Sequence, residues 1–226
     1  METFYRNSSA SVAVPWLLAG GRAGIASMPA RDRKASTVTP QMDLAGMAPD
    51  EARELLAAAL IPDPKSGILR LSDQPCILLR AEVIVSIQKQ LEQTVGGSAK
   101  GILYLSGERS SDAGLKFLGA LTNGISLPLT LEGAKRIIDA SALTGWGRTE
   151  IVHFEPDRGR FMVARHNSPI AQAYGPSKKP VCHFLAGWMA GIGRLLVGKE
   201  LLCEEISCMA QGHDRCEFEL QPMPMA

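Results

Sequence analysis

Cys208 and Cys216 bracket seven residues, Met209-Ala210-Gln211-Gly212-His213-Asp214-Arg215, with an apolar segment on either side, Leu201–Cys208 and Cys216–Leu220. Gly212 and the polar residues around it mark a turn, so the flanking segments read as the two strands of one hairpin. A hairpin holds facing positions about 5 Å apart, close enough for both sulfurs to reach one ion. This pairing of a local turn with a chemical cross-link limits the fold more than any other feature of the chain.

Zinc takes four ligands in a tetrahedron from thiolate, imidazole and carboxylate. The hairpin thiols supply half of that set. Cys182, Cys203, Glu204, Glu205, His183 and His213 are candidates for the rest. Cys182 is the most sensible third ligand. It follows Pro180 at the expected start of a helix, where the dipole and free backbone N–H groups favour a thiolate. The competing reading is that these thiols are small buried hydrophobes, a common use of free cysteine.

The chain has five cysteines and no convincing secretory signal. That odd number argues against a disulfide framework and for reduced thiols, so the cytoplasm is the expected compartment. Lys plus Arg number 24 and Asp plus Glu 23, for a net charge of +1, so no global electrostatic case exists for nucleic acid. No apolar run approaches the ~18 residues that span a bilayer.

Residues 1–45 are rich in Ser, Ala, Gly and Pro, and their apolar stretch Val12–Ile25 is broken by Pro15, Gly20, Gly21 and Arg22. They read as a mobile leader without chemistry. Helices are expected from Pro49 to about Leu60, from Ala81 to Thr94 with an apolar face of Val83, Ile84, Ile87 and Leu91, and from Ser98 to Leu121. Further helices are expected over Leu131–Leu143 and from Pro180 to Val197, the last with apolar Leu185, Trp188, Ile192 and Leu195. Strands are expected at Gly67–Leu71 and Cys76–Arg80 around a Ser72–Pro75 turn, and at Thr149–Glu155 and Arg160–Arg165 around Pro156–Gly159. Helices mixed with antiparallel hairpins make the class α+β rather than doubly wound.

Three motifs do not survive scrutiny. Gly193-x4-Gly198-Lys199-Glu200 approaches a phosphate-binding loop but lacks its Ser or Thr and lies at a helix end. Gly145-Trp146-Gly147 lacks the third glycine of a dinucleotide site. Cys182-His183 is no nucleophilic pair, because neighbours on a helix point about 100° apart.

Several runs together resemble the 4-vinyl reductase domain. They are Gly145-Trp146-Gly147-Arg148, the strand pair ending at Asn167-Ser168, Pro180-Val181-Cys182-His183, and Ala186-Gly187 with Ala190-Gly191. The last is Glu205-x2-Cys208-x3-Gly212-x3-Cys216-x-Phe218. The resemblance runs from about Leu131 to Leu220, and Gly67–Ala113 is loosely similar to the sensory modules of phenol- and toluene-responsive activators. It implies an N-terminal part over 46–130 and a 4-vinyl reductase domain over 131–222, with an antiparallel sheet and packed helices.

The resemblance also implies a structural zinc on Cys182, Glu205, Cys208 and Cys216, stapling the C-terminal hairpin. Residues three apart on a regular strand face opposite ways. Glu205 and Cys208 therefore need a bulge near Ile206–Ser207, with Glu204 as the fallback ligand. Cys203 and Cys76 read as core.

A cavity for a small hydrophobic or aromatic ligand is likewise implied, with Trp146, Phe161, Arg165, His166, Tyr174, Phe184 and Trp188 as lining candidates and Phe117 beside them. Trp146 and Trp188 are expected to border one cavity. Phenol-responsive sensors hold the hydroxyl with a His and a Trp. This chain offers Leu143, Arg165 and His166 there without a clean counterpart, which argues against phenol itself. A tetrapyrrole is the other ligand precedent, with His153 and His166 as candidate axial ligands.

The expected role is a non-catalytic sensor or carrier acting as a homodimer. The alternatives are a reductase-like or accessory subunit of tetrapyrrole (bacteriochlorophyll) biosynthesis and an assembly factor that uses the fold as a scaffold. Reduction of a vinyl group needs a hydride source, and no nicotinamide or flavin motif is present.

Overall fold

The computed structural model describes residues 46–119 and 130–223. The leader expected over 1–45 and the last two residues of the helix expected to reach Leu121 lie outside the described residues.

Pro49 fixes a helical φ at the start of α1 (Pro49–Ala59), and Glu51 accepts a hydrogen bond from the Ala48 N–H at 3.1 Å. Next comes an antiparallel meander of β1 (Leu60–Asp63), β2 (Ile68–Leu71) and β3 (Gln74–Cys76). The strand expected over Cys76–Arg80 is corrected here. Leu71 pairs with Gln74, which leaves Ser72-Asp73 as a two-residue turn with Ser72 at φ 55°. The third strand therefore starts earlier and ends at Cys76. Both outer strands carry a proline, Pro62 and Pro75, which edges tolerate because one side of the strand needs no ladder donor.

Helix α2 (Ala81–Val95) stops at Gly96, whose φ of 58° suits glycine. Its buried face differs from the one expected: Val83 and Ile87 are exposed, while Val85 and Gln88 are buried. Gln88 wins its place through two hydrogen bonds from Nε2, to the Val181 carbonyl and to Glu92 Oε1, both 2.9 Å. A buried amide that is satisfied twice costs little.

Helix α3 (Ser98–Gly119) runs unbroken through Gly107, and α6 (His183–Val197) crosses it. A Cβ on Gly107 would stand 2.0 Å from the Phe184 carbonyl oxygen, and one on Gly187 would stand 1.8 Å from that of Tyr104. The glycines thus exist to let two backbones touch. Between these helices in sequence come α4 (Leu131–Leu143), capped by Thr130 Oγ1 accepting from the Gly133 N–H at 3.0 Å, and a short α5 (Pro169–Tyr174) absent from the expectations. Ser168 caps α5 and Pro169 opens it, a start signal spent on a helix of six residues.

The second sheet is antiparallel in the order β4 (Arg148–Glu155), β5 (Arg160–His166), β7 (Cys216–Pro222), β6 (Leu201–Ser207). One core lies between this sheet and α6, around Phe218, Leu220, Phe161, Val163, Leu185 and Met189. The other gathers Leu71, Leu115, Leu118, Ile137, Ala140 and Ile192. Trp188 packs against both. Helices on an antiparallel sheet make the architecture α+β. Packing also accounts for the glycines of the phosphate-loop lookalike: Gly198 is the left-handed cap of α6 at φ 67°, and Gly193 makes room for Leu201.

Candidate functional site

Alternation on β7 sends Cys216, Phe218 and Leu220 to the helix-covered face. On β6 the same alternation buries Leu201, Cys203 and Glu205 and exposes Glu204. A register shift between Glu205 and Ser207 then breaks the period at Ile206, so Cys208 returns to the face of Glu205. Cys182 arrives from the other layer as the N-cap residue of α6, which begins at His183 rather than at Pro180.

These elements bring four buried donors together: one each from Cys182, Glu205, Cys208 and Cys216, all within 4.8 Å of one another. Cys216 Sγ is 3.9 Å from Cys182 Sγ and 3.9 Å from Cys208 Sγ. Tetrahedral ligands at a Zn–S length of about 2.3 Å stand about 3.8 Å apart, so the sulfur spacing fits that ion. Glu205 Oε2 accepts from the Cys182 backbone N–H at 2.7 Å, which orients the carboxylate. Its Oε1 is buried without a partner, the atom a metal would satisfy.

The electrostatics agree with a site built for a cation. Burial, with the thiol of Cys208 beside it, pushes the Glu205 carboxyl up to about 8. Cys208 is held well below the usual thiol range by S–H groups of Cys182 and Cys216, and Cys182 is driven far above it in return. One negative charge is accommodated, and each further one needs a cation. Ser168 Oγ, 3.6 Å from Cys182 Sγ, and the Met209 N–H, which donates to Cys216 Sγ at 3.4 Å, steady the sulfurs. Among the other candidates, Cys203 is buried outside the group, Glu204 and His213 are exposed, and His183 stands outside it too. The buried cluster can hold a metal ion.

Beside it lies a cavity of about 410 Å³ between α3, α4, α6 and the end of β5. Phe117, Trp146, Phe184, Leu185 and Trp188 supply its apolar wall, and Trp146 stacks on Phe184 with ring centroids 6.2 Å apart. Trp146 is placed by its neighbours. Gly145 and Gly147 have φ of 86° and 92°, and a Cβ on Gly147 would stand 2.7 Å from the His166 carbonyl oxygen. Arg165, 1% exposed, is the charged group in the wall; its Nη1 donates to the Trp146 carbonyl. Burial pulls its guanidinium down to about 10, partly offset by the Cys182 and Cys216 thiols.

Three candidates lie elsewhere. Phe161 packs on Phe154 in the sheet core, with centroids 4.9 Å apart. His166 Nε2 is 3.3 Å from Glu150 Oε1, and the Tyr174 hydroxyl donates to Glu92 at 2.7 Å. Alternation explains His166, since it follows Arg165 and leaves the strand on the opposite side. Sequence reasoning missed Gln74, Pro75, Gly114 and Ser141, which also line the cavity. Gly114 was detectable: it stands one heptad after Gly107 on α3, and a Cβ there would be 2.6 Å from Trp188 Nε1.

With this geometry in hand, comparison with known proteins places it. The 4-vinyl reductase domain family matches residues 162–222, the stretch that carries Arg165 and all four donors of the cluster. An uncharacterized protein of Methanocaldococcus jannaschii is 39% identical over 44 residues, which are 20% of this chain and 24% of that protein. The chain thus spans about a quarter of that relative's length. The phenol-responsive sensory domain of the transcription activator PoxR, crystallised with phenol, superimposes with a TM-score of 0.61 at 22% identity, over 76% of this chain and 89% of that one. The two share a fold. A vinyl-4-reductase family protein from M. jannaschii aligns at a TM-score of 0.38 and 21% identity, over 62% and 77% of the two chains.

Proposed function

We propose that this protein is a non-catalytic ligand-binding member of the 4-vinyl reductase domain family, a sensor or carrier whose cavity takes a small apolar aromatic molecule. The observation that carries this reading is the cavity itself: about 410 Å³, walled by Phe117, Trp146, Phe184 and Trp188, with a buried guanidinium. Ligand sites combine apolar walls with few orienting polar groups and run from about 300 to 1,000 Å³. This one sits near the small end, which favours one or two rings over a tetrapyrrole macrocycle. PoxR's sensory domain, which has this fold, was crystallised with phenol, and that supports the ligand class.

Binding alone is the proposed chemistry. The two cavity serines donate to backbone carbonyls, Ser110 to Gly107 at 2.8 Å and Ser141 to Ile138 at 2.6 Å, and so are occupied as structural hydroxyls. Residues 46–130 and 131–222 act as two halves of one binding unit, because α3 of the first half and α6 of the second both wall the cavity.

Zinc is the metal we assign to Cys182, Glu205, Cys208 and Cys216, on the sulfur spacing and the thiolate-rich donor set. Bound there, it supplies a cross-link and no chemistry, because four protein ligands leave no open position. It would tie the hairpin of β6 and β7 to the N-cap residue of α6, the helix that carries Phe184 and Trp188 into the cavity. Reduced thiols are consistent with a cytoplasmic protein. Among the described residues no helix is long and apolar enough to cross a membrane. A homodimer is proposed on the exposed apolar set Ile77, Leu78, Leu79, Val83 and Ile87.

The test is calorimetric titration of the zinc-loaded protein with one- and two-ring aromatic compounds, repeated with Trp188→Leu. Saturable binding of one such compound, weakened at least tenfold by the substitution while zinc is retained, is the expected result. No binding across the series would overturn the reading.

A further inference from the structure

We infer that the ligand carries an uncharged hydrogen-bond acceptor, a carbonyl or comparable oxygen, received by the Arg165 guanidinium. This rests on the aromatic-cavity reading and deepens it.

The geometry comes first. Arg165 is 1% exposed and lines the cavity, Nη1 is used on the Trp146 carbonyl, and Nε has no hydrogen-bond partner. A guanidinium has five N–H donors in a rigid fork and no acceptor. Buried donors left without partners are costly, and a native structure keeps one where a bound group completes it. The cavity's other polar side chains do not compete for this role. Ser110 and Ser141 are committed to backbone carbonyls, and Gln74 Nε2 donates to Asp73 Oδ1 at 2.9 Å.

Charge then decides which acceptor. Arg165 pairs in register with Cys216 across β5 and β7, so it borders the donor cluster as well as the cavity. Three thiolates and one carboxylate around a divalent ion leave two negative charges, and Arg165 offsets one of them. The buried assembly is therefore already anionic by one. A carboxylate ligand would bury a second negative charge next to it with no cation to answer, whereas a neutral oxygen takes the N–H donors without changing the balance. The surplus charge on the sulfurs excludes acids that a lone arginine would invite.

Three near-isosteric probes separate the possibilities: acetophenone, with a neutral carbonyl; ethylbenzene, with none; and benzoate, with a charge. Calorimetry on the full zinc-loaded chain should rank acetophenone first by about tenfold or more over ethylbenzene, as expected for a hydrogen bond from a charged donor. Benzoate should bind more weakly than both. In Arg165→Met the preference for acetophenone should shrink to within about twofold while ethylbenzene still binds and zinc content is unchanged. Should that variant not fold, Arg165→Lys keeps the charge and loses the fork, and the wild-type ranking still decides. Equal binding of acetophenone and ethylbenzene to the wild type overturns the inference and leaves the aromatic cavity standing. Benzoate binding tightest overturns the charge argument. Binding of none of the three removes the cavity reading and the inference with it.

Discussion

Arg165 on β5 and Cys216 on β7 are register partners, so the guanidinium of the cavity wall and one thiol of the metal cluster hang from facing positions of the same ladder. Cross-strand neighbours interact directly. What holds the thiol as a thiolate therefore also sets the field at the arginine, and the two sites share a charge balance.

Purified protein is expected to contain about one zinc per chain by elemental analysis, and Cys208→Ser or Cys216→Ser to lose it. Structural zinc in small modules contributes on the order of 10 kcal/mol. A loss of even a third of that lowers the melting temperature of a domain this size by about 10 °C. A metal-free wild type as stable as the variants would sink the assignment.

Glu205→Gln isolates the carboxylate charge. The amide oxygen can still accept from the Cys182 N–H, as Oε2 does at 2.7 Å, so the backbone geometry survives. Zinc affinity, measured by competition with a chromogenic chelator, should fall about 100-fold, the upper end of what a lost metal-site interaction costs. The chelator-treated proteins should melt within a few degrees of each other.

Two glycine substitutions should move stability in opposite directions. Gly187→Ala drives a Cβ to within 1.8 Å of the Tyr104 carbonyl oxygen, forcing α3 and α6 apart. A loss of about 3 kcal/mol or more in denaturant titration is expected. Gly101→Ala, on the exposed side of α3 with open space around it, should gain about 0.5–1 kcal/mol. Equal effects would contradict the close crossing.

The Tyr174 hydroxyl donates to Glu92 and joins α5 to α2. Burial, then the carboxylate, pushes its hydroxyl up to about 12 from an ordinary 10. The folded value is raised, so this stabilisation is complete below pH 10 and is lost as pH climbs through about 12. Tyr174→Phe should cost about 1–2 kcal/mol at neutral pH, the worth of a hydrogen bond to a charged group. Its stability curve should also be flatter than wild type on the alkaline side. A parallel pair of curves would rule out the linkage.

Local signals were legible because they act over a few residues. The Met209–Arg215 turn, the helix at Leu131–Leu143 and the paired strands of β4 and β5 follow from turn chemistry and periodicity. The same reasoning misjudged α2, where Val83 and Ile87 satisfy helical spacing yet face out, and Gln88 is buried instead. Periodicity reports that a face exists; a carbonyl at Val181, 93 positions away, selects which one.

By itself the amino-acid sequence determined the α+β class, the four donor types and their spacing, and the break in alternation that Glu205 and Cys208 require. Those are properties of short segments, set by backbone sterics and side-chain period. Only the tertiary structure decided that Gly107 and Gly187 serve a helix crossing, that Phe161, His166 and Tyr174 stand apart from the cavity, and that Arg165 borders both sites. Each of these depends on which element is laid against which, and that is settled by burying apolar surface across the whole chain at once.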